Sequence, residues 1–323
     1  MKIHEWMSGL DKDRKLYELC LPGSHDAGVY RDLQHGVKPG SKAQCQYSGI
    51  YKQAMEGSRV FDIRCFLRTK GVIKKTKTVT MGHFFKEAKD GYLGDYGGTL
   101  IAALEDAAFF LSSRPTEFII FRIGHTKCTG DVAAALKQFD KARPGVVYKG
   151  PASAQNLADV TVQNLRTHLL LVFDNQFNAQ NFSANDGYFP YTKYPSIPNL
   201  GLAFCGKYSG GLGKSFAVGK ENKGNWSPEG AVELANAACQ EHKTHAGGHH
   251  LLWIYWQETG GNVRENTTAR QGMHNRLGQF LSDIRMPSNK LPLPNVIGHD
   301  FVNNNTCREI AKMNPDLRNT NIG

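Results

Sequence analysis

The sequence predicts a single-domain α/β protein built on a parallel barrel. Short apolar runs recur along the 323 residues, and helical patterns lie between several of them. Strands that alternate with helices are typical of a parallel sheet, and about eight such strands close a barrel that commonly takes about 250 residues. The hydrophobic content is 40%, and no repeat or low-complexity linker marks a boundary, so we expect one domain over residues 1–323.

The strand candidates are apolar runs that are bounded by turn residues. In chain order they are Leu16–Leu21, Val60–Ile63, Val79–Met81, Glu117–Ile123, His168–Phe173, Gly201–Cys205, His249–Trp256 and Asn295–Phe301. Parallel strands need a dozen or more connecting residues. Because the link of residues 67–78 is too short for a helical crossover, we expect the barrel to be irregular at that point.

The helix candidates show apolar residues at helical spacing. They are Leu100–Ser112, Val132–Phe139, Pro228–Cys239, Asn266–Ile284 and Arg308–Met313. Ser227 precedes a proline, which is typical of an N-cap followed by the first helical position. Residues 176–186 and 208–226 are predicted to be loops.

Three strand candidates in the first third of the chain end in ionisable side chains. Residues 21–26 read Leu-Pro-Gly-Ser-His-Asp, residues 61–64 read Phe-Asp-Ile-Arg, and residues 82–83 read Gly-His. Two imidazoles that titrate near neutral pH can act as base and acid in one reaction. An arginine offers a planar fork that matches phosphate oxygens. The set therefore predicts acid/base chemistry on a phosphodiester at the mouth of the barrel.

The net charge of +10 and the pI near 9.2 favour an anionic partner. Four lysines crowd the short link between the second and third strand candidates: Lys70, Lys74, Lys75 and Lys77. This link is either a contact with an anionic membrane surface or a solvated hairpin tip. The sequence lacks an arginine-rich helix, zinc-finger spacing and an aromatic RNA-binding strand, so we expect no nucleic-acid partner.

The cysteines and the hydropathy of the sequence are used to predict where in or outside the cell the protein is found. Seven cysteines without a Cys-x-x-Cys pair are most simply reduced thiols. No run of about 18 apolar residues predicts a membrane-spanning helix, and the first residues lack the apolar core of a signal peptide. We therefore expect a protein that is cytoplasmic, or exported without a classical signal peptide, and peripheral at membranes.

A histidine cluster late in the chain contains several potential metal ligands. His242, His245, His249 and His250 are interrupted by Gly247-Gly248. This stretch lacks the helix on which a His-Glu-x-x-His site would depend. We interpret it as a loop.

The three motifs resemble the X-domain of phosphatidylinositol-specific phospholipase C, in their order and approximate spacing. The opening Trp-Met-Ser of residues 6–8 and the Pro-Asn-Val-Ile-Gly-His-Asp-Phe-Val of residues 294–302 are similar to the small, single-domain, bacterial-type X-domain phosphodiesterases. The resemblance extends from about residue 5 to about residue 315. It implies an irregular TIM-like (β/α)8 barrel, in agreement with the strand candidates.

The resemblance also implies roles for five residues. His25 would be the general base and His83 the general acid. Asp300 would orient His25, and Asp26 would support His83, since such carboxylates fix the tautomer of an imidazole and stabilise its charged form. Arg64 would bind the phosphate and counter the charge that develops on its oxygens.

The resemblance also predicts that the site is metal-independent. The calcium-dependent relatives have an asparagine after the first histidine and an acidic residue at the position of Arg64. Asp26 and Arg64 instead resemble the metal-independent bacterial pattern. We therefore expect neither a metal nor a cofactor.

Substrate recognition is where this chain departs from its relatives. Bacterial inositol-cleaving relatives carry an aspartate two residues before a tyrosine at the sixth strand, and this chain has Gly206 and Tyr208 there. Tyr208 is expected to stack on a sugar-like ring. Arg122 and Lys207 are expected to bind headgroup phosphates, and Asp62 is assigned to substrate binding as well.

The leading hypothesis is a monomeric phospholipase C-type phosphodiesterase that acts at an anionic phospholipid surface. It would cleave phosphatidylinositol or a related phospholipid through a cyclic inositol phosphate intermediate. One alternative is the same chemistry on another small-molecule headgroup, such as a glycosylated inositol lipid. Another is a non-catalytic module that binds anionic lipid, although binding alone requires neither a base nor an acid.

Overall fold

The strands and helices are known for most of the chain. The computed structural model describes residues 1–30, 44–70, 76–88, 91–126, 128–150, 157–174, 177, 186–190, 192–193, 203–204, 232, 235–237, 239–240, 251–256, 277–286 and 293–323. The strands are β1 (Leu21–Ser24), β2 (Val60–Ile63), β3 (Cys65–Lys70), β4 (Thr76–Ala88), β5 (Gly91–Thr99), β6 (Ile119–Ile123), β7 (Leu169–Phe173), β8 (Tyr188–Pro190), β9 (Thr192–Lys193), β10 (Ala203–Phe204), β11 (Trp253–Trp256) and β12 (Val296–His299).

Helices lie between the strands. The α-helices are α1 (Ile50–Met55), α2 (Leu100–Ser112), α3 (Thr129–Ala142), α4 (Val162–Leu165) and α5 (Asn304–Ala311). Short 3₁₀ helices form at Ile3–Gly9, Leu16–Glu18, Leu157–Asp159 and Pro315–Leu317. Further helical residues lie within 232–240 and 277–285.

A curved parallel sheet forms the centre of the fold. Within the described residues its strands pair in the order β11-β12-β1-β2-β6-β7-β8, and every pairing is parallel. A second sheet, β3-β4-β5, is antiparallel, and β9 pairs with β10. The predicted α/β barrel with an irregularity after its second strand is therefore confirmed.

The side chains of β2 alternate between the outer apolar layer and the interior of the barrel. Phe61 and Ile63 pack with α1, α2 and α3 in the apolar layer outside the sheet. Val60 faces the other way, into the inner core that also contains residues of β1, β6 and β12. Since successive side chains of a strand point to opposite faces, Asp62 faces the interior with Val60.

Three strand predictions differ from the structure. Within the predicted Gly201–Cys205 strand, the described residues form β10, which pairs with β9 and not with the described strands of the barrel sheet. Leu16–Glu18 forms a 3₁₀ turn, in which the Glu18 carboxylate accepts the Lys15 N–H at 2.7 Å, and β1 begins only at Leu21. The strand at 79–81 is present but not in the barrel: it is part of β4, which pairs antiparallel with β3. Of the link that is too short for a helical crossover, residues 67–70 and 76–78 instead lie in the β3–β4 antiparallel pair.

The helix predictions hold where the structure describes them. The predicted helix at residues 100–112 is α2, and its N-cap Thr99 accepts the Ala102 N–H. The predicted 132–139 helix lies within α3, and the predicted 308–313 helix is α5, shifted toward its cap Asn303. Ser227 and residues 208–226 lie outside the described residues. No helix among the described residues is long and apolar enough to cross a membrane.

A buried ion pair joins the start of the chain to the amino-terminal end of the barrel. Arg59 precedes β2, and its Nε and Nη2 donate to Glu117 Oε2 at 2.8 and 2.6 Å. Its guanidinium also donates to the carbonyls of His4, Ala54 and Ser58. Both side chains of the pair are fully buried. Removing one partner of such a pair leaves the other charge buried and uncompensated.

We expect Arg59→Met to lower the free energy of unfolding by about 3–5 kcal/mol, because Glu117 would lose its buried cation. The matched control is Arg143→Met, since Arg143 pairs with Glu105 at the surface with side chains 55% and 41% exposed. An exposed pair contributes about 1 kcal/mol or less. Urea unfolding of both variants measures the difference, and equal losses would contradict this reading of the Arg59 pair.

Candidate active site

The candidate active site lies at the carboxyl ends of β1, β2 and β12. The ladder between β1 and β12 ends with Ser24 opposite His299, so the next residues, His25 and Asp300, emerge side by side. Arg64 follows β2 directly. The parallel register therefore places on one rim three side chains that are distant in the sequence.

His25 is held in one tautomer by its two neighbours. Its Nδ1 lies 2.8 Å from Asp300 Oδ1, and its Nε2 lies 3.0 Å from Arg64 Nη2. A guanidinium can only donate hydrogen bonds. Nε2 must therefore carry the lone pair, and Nδ1 carries the proton that is donated to Asp300. This is the form of histidine that can accept a proton.

His83 forms a second histidine–carboxylate pair. Its Nδ1 lies 2.7 Å from Asp26 Oδ2, and its side chain is 29% exposed while that of Asp26 is fully buried. Asp26 has a left-handed backbone with φ of 42°, an uncommon conformation outside glycine that is often found at functional sites. Burial alone would raise the pKa of the Asp26 carboxyl, but Arg64, His25 and His83 outweigh it and hold that pKa well below its usual range.

Arg64 connects the two pairs. Its Nε lies 2.6 Å from Asp26 Oδ1, and its Nη2 lies 2.8 Å from Asp62 Oδ2 as well as near His25. Asp62 in turn accepts from Arg122 Nη1 at 2.6 Å, because the register places these two residues opposite each other on β2 and β6. Burial opposes ionisation of Asp62, yet Arg64 and Arg122 hold its pKa well below the usual range.

A close backbone contact brings the antiparallel sheet to the barrel rim. Gly98 N–H donates to Gly28 O at 3.3 Å, and a Cβ on Gly97 would lie only 1.6 Å from that oxygen. Any side chain at position 97 would therefore push β5 away from the loop after β1. His83 lies on β4, which pairs with β5. The contact thus helps to bring His83 within reach of Asp26.

The structure brings together the five residues that were predicted to be catalytic: His25, Asp26, Arg64, His83 and Asp300. Of the residues that were assigned to substrate binding, Asp62 is fully buried and Arg122 is 4% exposed. Both lie beneath Arg64 and pair with each other. Lys207 and Tyr208, together with Gly206, lie outside the described residues.

Sequence reasoning missed His125, Asp174 and Gln46, which lie at or near this site. His125 follows β6 after a glycine, is exposed and has a φ of 52°, and its N–H donates to Asp174 at 2.9 Å. The Gly-His that follows an apolar strand is the same signal that identified His83, so it was available in the sequence. The third is Gln46, which contacts the loops that carry His25 and Asp300. A glutamine between unremarkable neighbours carries no such signal.

One group of potential metal ligands overlaps this site. Among the described residues, His25, Asp26 and Cys45 bring ligand atoms within 4.8 Å of one another. The Cys45 thiol lies 3.6 Å from Asp26 Oδ2. However, the Asp26 carboxylate already has the Arg64 guanidinium at 2.6 Å, and a cation bound there would face that positive charge. The donor set therefore fits a metal poorly.

The chain is similar in sequence to known bacterial enzymes over part of its length. Over 152 residues it is 30% identical to 1-phosphatidylinositol phosphodiesterase of Staphylococcus aureus strain Newman. The matched region covers 47% of this chain and 43% of that protein. The protein of the same name from strain NCTC 8325 / PS 47 matches over 40% of its length. The match thus spans less than half of these curated relatives. No family model matches the sequence.

The fold is similar over nearly the whole chain. Phosphatidylinositol-specific phospholipase C from Listeria monocytogenes has a TM-score of 0.60 and 18% identity, over 97% of this chain and 99% of that one. A variant of the Staphylococcus aureus enzyme has a TM-score of 0.59 and 17% identity, over 97% and 98%. Another Staphylococcus aureus structure, with a TM-score of 0.58 and 17% identity over 97% and 98%, concerns modulation of that enzyme's membrane binding. The comparisons confirm the predicted resemblance and barrel fold.

The pairing of Asp62 predicts an acid-sensitive stability. A carboxyl has a pKa of about 3.9 when unfolded, and the folded pKa of Asp62 is lower. Its stabilising contribution is therefore complete above that unfolded value and is lost as pH falls toward the folded one. Across this window the unfolded chain binds the additional proton, so the free energy of unfolding rises with pH.

We expect Asp62→Asn to flatten this dependence between about pH 4 and about pH 2, by up to about 1.4 kcal/mol per pH unit. Asparagine takes up no proton, so this contribution to the slope disappears. Urea unfolding at closely spaced pH values measures it in both proteins. Parallel curves for wild type and variant would mean that Asp62 is not held ionised in the folded protein.

Proposed function

We propose that this chain is a phosphodiesterase of the phospholipase C type, which cleaves phosphatidylinositol between its phosphate and diacylglycerol. The observation that carries the proposal is the pair of histidine–carboxylate contacts, His25 with Asp300 and His83 with Asp26, on either side of Arg64. A module that only binds lipid has no need for a prepared base and a prepared acid. The sequence match to 1-phosphatidylinositol phosphodiesterases supports the choice of substrate.

The first step is an attack by the inositol hydroxyl next to the phosphate. Nε2 of His25 takes the proton of that hydroxyl while its oxygen bonds to phosphorus. The imidazole then carries a positive charge, which the Asp300 carboxylate at Nδ1 stabilises. Once substrate enters, a phosphate oxygen takes the place of His25 Nε2 as an acceptor for Arg64, since a guanidinium matches phosphate in the same way as it matches a carboxylate.

The same step expels diacylglycerol. As the bond between phosphorus and the glycerol oxygen breaks, protonated His83 gives its Nε2 proton to that oxygen. The Asp26 carboxylate accepts the Nδ1–H of His83 and so fixes the orientation of the ring for the transfer. The products are diacylglycerol and a cyclic inositol phosphate. Water can then open the cyclic ester with the two histidines in exchanged roles.

The buried carboxylates set the geometry of Arg64. Asp62 and Asp26 hold its guanidinium from two sides, and Arg122 neutralises part of the charge of Asp62. We assign Asp62 and Arg122 to this support, and the headgroup contacts to residues nearer the rim. A guanidinium that is held in advance stabilises developing negative charge without a reorganisation cost.

We expect His25→Ala and His83→Ala each to lower kcat on phosphatidylinositol by about 10²–10⁴-fold, the usual contribution of a general acid or base. His4→Ala is the control, because His4 precedes the ion pair at the opposite end of the barrel. Phosphorus NMR of the products should show a cyclic inositol phosphate before the open monoester. An unchanged kcat in either site variant would contradict its assigned role.

We expect turnover to be unchanged by EDTA and by added calcium. Arg64 supplies the positive charge at the phosphate, so no cation is needed for that purpose. Initial rates on phosphatidylinositol vesicles with EDTA, and after readdition of calcium, measure this. Loss of activity with the chelator and recovery with calcium would refute metal independence.

The headgroup is tested separately from the chemistry. Gly206 stands where the inositol-cleaving relatives carry an aspartate. The rate on phosphatidylinositol should therefore be compared with the rates on related lipids. Vesicles that contain phosphatidylinositol, a glycosylated inositol lipid or phosphatidylglycerol should be hydrolysed in that order of rate. Phosphatidylglycerol serves as the anionic lipid without a ring. Equal rates on all three would argue against recognition of inositol.

We further propose that the enzyme acts while bound peripherally to anionic membranes. β3 leaves the carboxyl end of β2, on the side of the barrel that carries the site, and pairs with β4, whose Lys77 is exposed. A basic side chain near an anionic surface contributes about 1 kcal/mol to binding. The membrane binding of the Staphylococcus aureus enzyme supports this proposal.

Accordingly, Lys77→Glu should weaken binding to vesicles rich in phosphatidylserine by at least about fivefold at low salt, and by less at high salt. The control is Lys2→Glu, which makes the same change of charge on an exposed lysine at the opposite end of the barrel. Co-sedimentation with vesicles gives both affinities. An equal loss in the two variants would indicate only the effect of net charge.

A further inference from the structure

Gln46 is a fully buried glutamine whose carboxamide lies between the two loops that carry the first histidine–carboxylate pair. Its Nε2 donates to His25 O at 2.8 Å and to His299 O at 3.0 Å. Its Oε1 accepts the Val302 N–H at 3.0 Å. One side chain thus bonds to the residue after β1, to the last residue of β12 and to the loop beyond.

This carboxamide lies where the hydrogen-bonded ladder between β1 and β12 ends. The last paired residues of β1 and β12 are Ser24 and His299, and beyond them the backbone contributes only the His25 N–H to His299 O bond at 3.2 Å. Gln46 donates to that same His299 oxygen. It therefore continues the connection between the loops at the point where His25 and Asp300 leave the sheet.

The chemistry of the contact requires an amide. Two carbonyl oxygens face Nε2, which has two hydrogens, and one N–H faces Oε1. Rotating the amide by half a turn would set an oxygen against two carbonyls and a donor against an N–H. A carboxylate could not donate to either carbonyl. Glutamine in this orientation is the natural side chain that satisfies all three groups at this reach.

The neighbours of Gln46 hold the same loop. Cys45 O accepts the Phe301 N–H at 2.7 Å, and the Tyr47 ring packs on Phe301 with ring centroids 4.5 Å apart. Phe301 follows Asp300 and has a φ of 53°, a strained backbone for a bulky residue. Residues 45–47 thus hold the loop in a conformation that it would not adopt by itself.

We propose that Gln46 is a positioning residue, which sets the distance and the tautomer of the His25–Asp300 pair by holding the two loops together. The inference rests on the proposed function, because it assigns Gln46 to the base of that reaction. Without the amide the loops separate slightly, and the short contact between His25 Nδ1 and Asp300 Oδ1 is no longer enforced. A misplacement of about 1 Å can reduce a rate by about 10²-fold.

The chain contains a matched control for this proposal. Asn295 is 1% exposed and forms the same three-contact arrangement at the opposite end of β12. Its Nδ2 donates to Tyr17 O at 2.6 Å and to Leu19 O at 3.1 Å, while its Oδ1 accepts the Leu252 N–H at 2.9 Å. Its loss should cost stability in the same way, but far from the catalytic residues.

The experiment compares Gln46→Met with Asn295→Leu, since each replaces a buried carboxamide by an apolar side chain of similar size. We expect both variants to have a lower Tm. In Gln46→Met, kcat on phosphatidylinositol should fall by about 10-fold to 10²-fold with KM changed by less than about twofold. In Asn295→Leu, kcat should stay within about twofold of wild type. A kcat that falls equally in the two variants, or in neither, would overturn the proposal.

A second readout does not depend on turnover. In protein with isotope-labelled histidine nitrogens, the NMR shifts of His25 report which ring nitrogen carries the proton. We expect Nδ1–H in wild type and in Asn295→Leu, and a mixture of tautomers in Gln46→Met. An unchanged His25 signal in Gln46→Met would overturn the proposal, even if wild type proved inactive on phosphatidylinositol and the proposed function failed.

A third variant keeps the proposal testable if Gln46→Met does not fold. Gln46→Asn keeps a buried amide but shortens its reach by one methylene, so it can serve only one loop. We expect the same loss of kcat and the same mixture of tautomers, with a smaller fall in Tm than in Gln46→Met. Wild-type kcat and a wild-type His25 signal in Gln46→Asn would overturn the proposal.

Discussion

Arg64 is the cation on which the arrangement of the site depends. Its guanidinium lies against two fully buried carboxylates, Asp26 and Asp62, and against the ring of His25. Two ionised carboxylates without it would repel each other at the end of the barrel, and burial would drive them toward their protonated forms. With it, Asp26 remains an acceptor for His83. In the proposed mechanism, the general acid therefore depends on a side chain that also contacts the general base.

Much of this was visible in the sequence because parallel strands gather their carboxyl ends on one rim. Short apolar runs that end in His25 and Arg64 predict that these two residues meet, whereas Asp300 is assigned to His25 only through the family resemblance. The structure brings all three together. The alternation along β2 also indicated that Asp62 differs from its neighbours. Its partner Arg122 is fixed by the register between β2 and β6, which a single sequence does not reveal.

The contacts that were missed depend on distant backbone atoms. Gln46 contacts carbonyls 21 and 253 residues away, and Arg59 meets Glu117 across 58 residues. Neither side chain belongs to a periodic pattern or to a motif. His83 contacts Asp26 as predicted, but its strand lies in the antiparallel sheet and not in the barrel, because a short apolar run before Gly-His looks the same in a barrel strand and in a hairpin. Local patterns specify elements, whereas their sheet partners are decided by packing.

The position of His83 outside the barrel divides the site into two separately anchored halves. In the proposed mechanism, the attacking half belongs to the β1–β12 ladder. The histidine that would release the product is carried by β4, which is held through β5 by the contact of Gly28 with Gly97 and Gly98. Disturbing that contact would impair the proton transfer from His83 and leave the contacts of His25 with Asp300 and Arg64 in place. The defect would then scale with the basicity of the departing alcohol: severe for glycerol, and slight for a phenol that leaves without a proton. The fold thus places the two proton transfers of one step on side chains from different sheets.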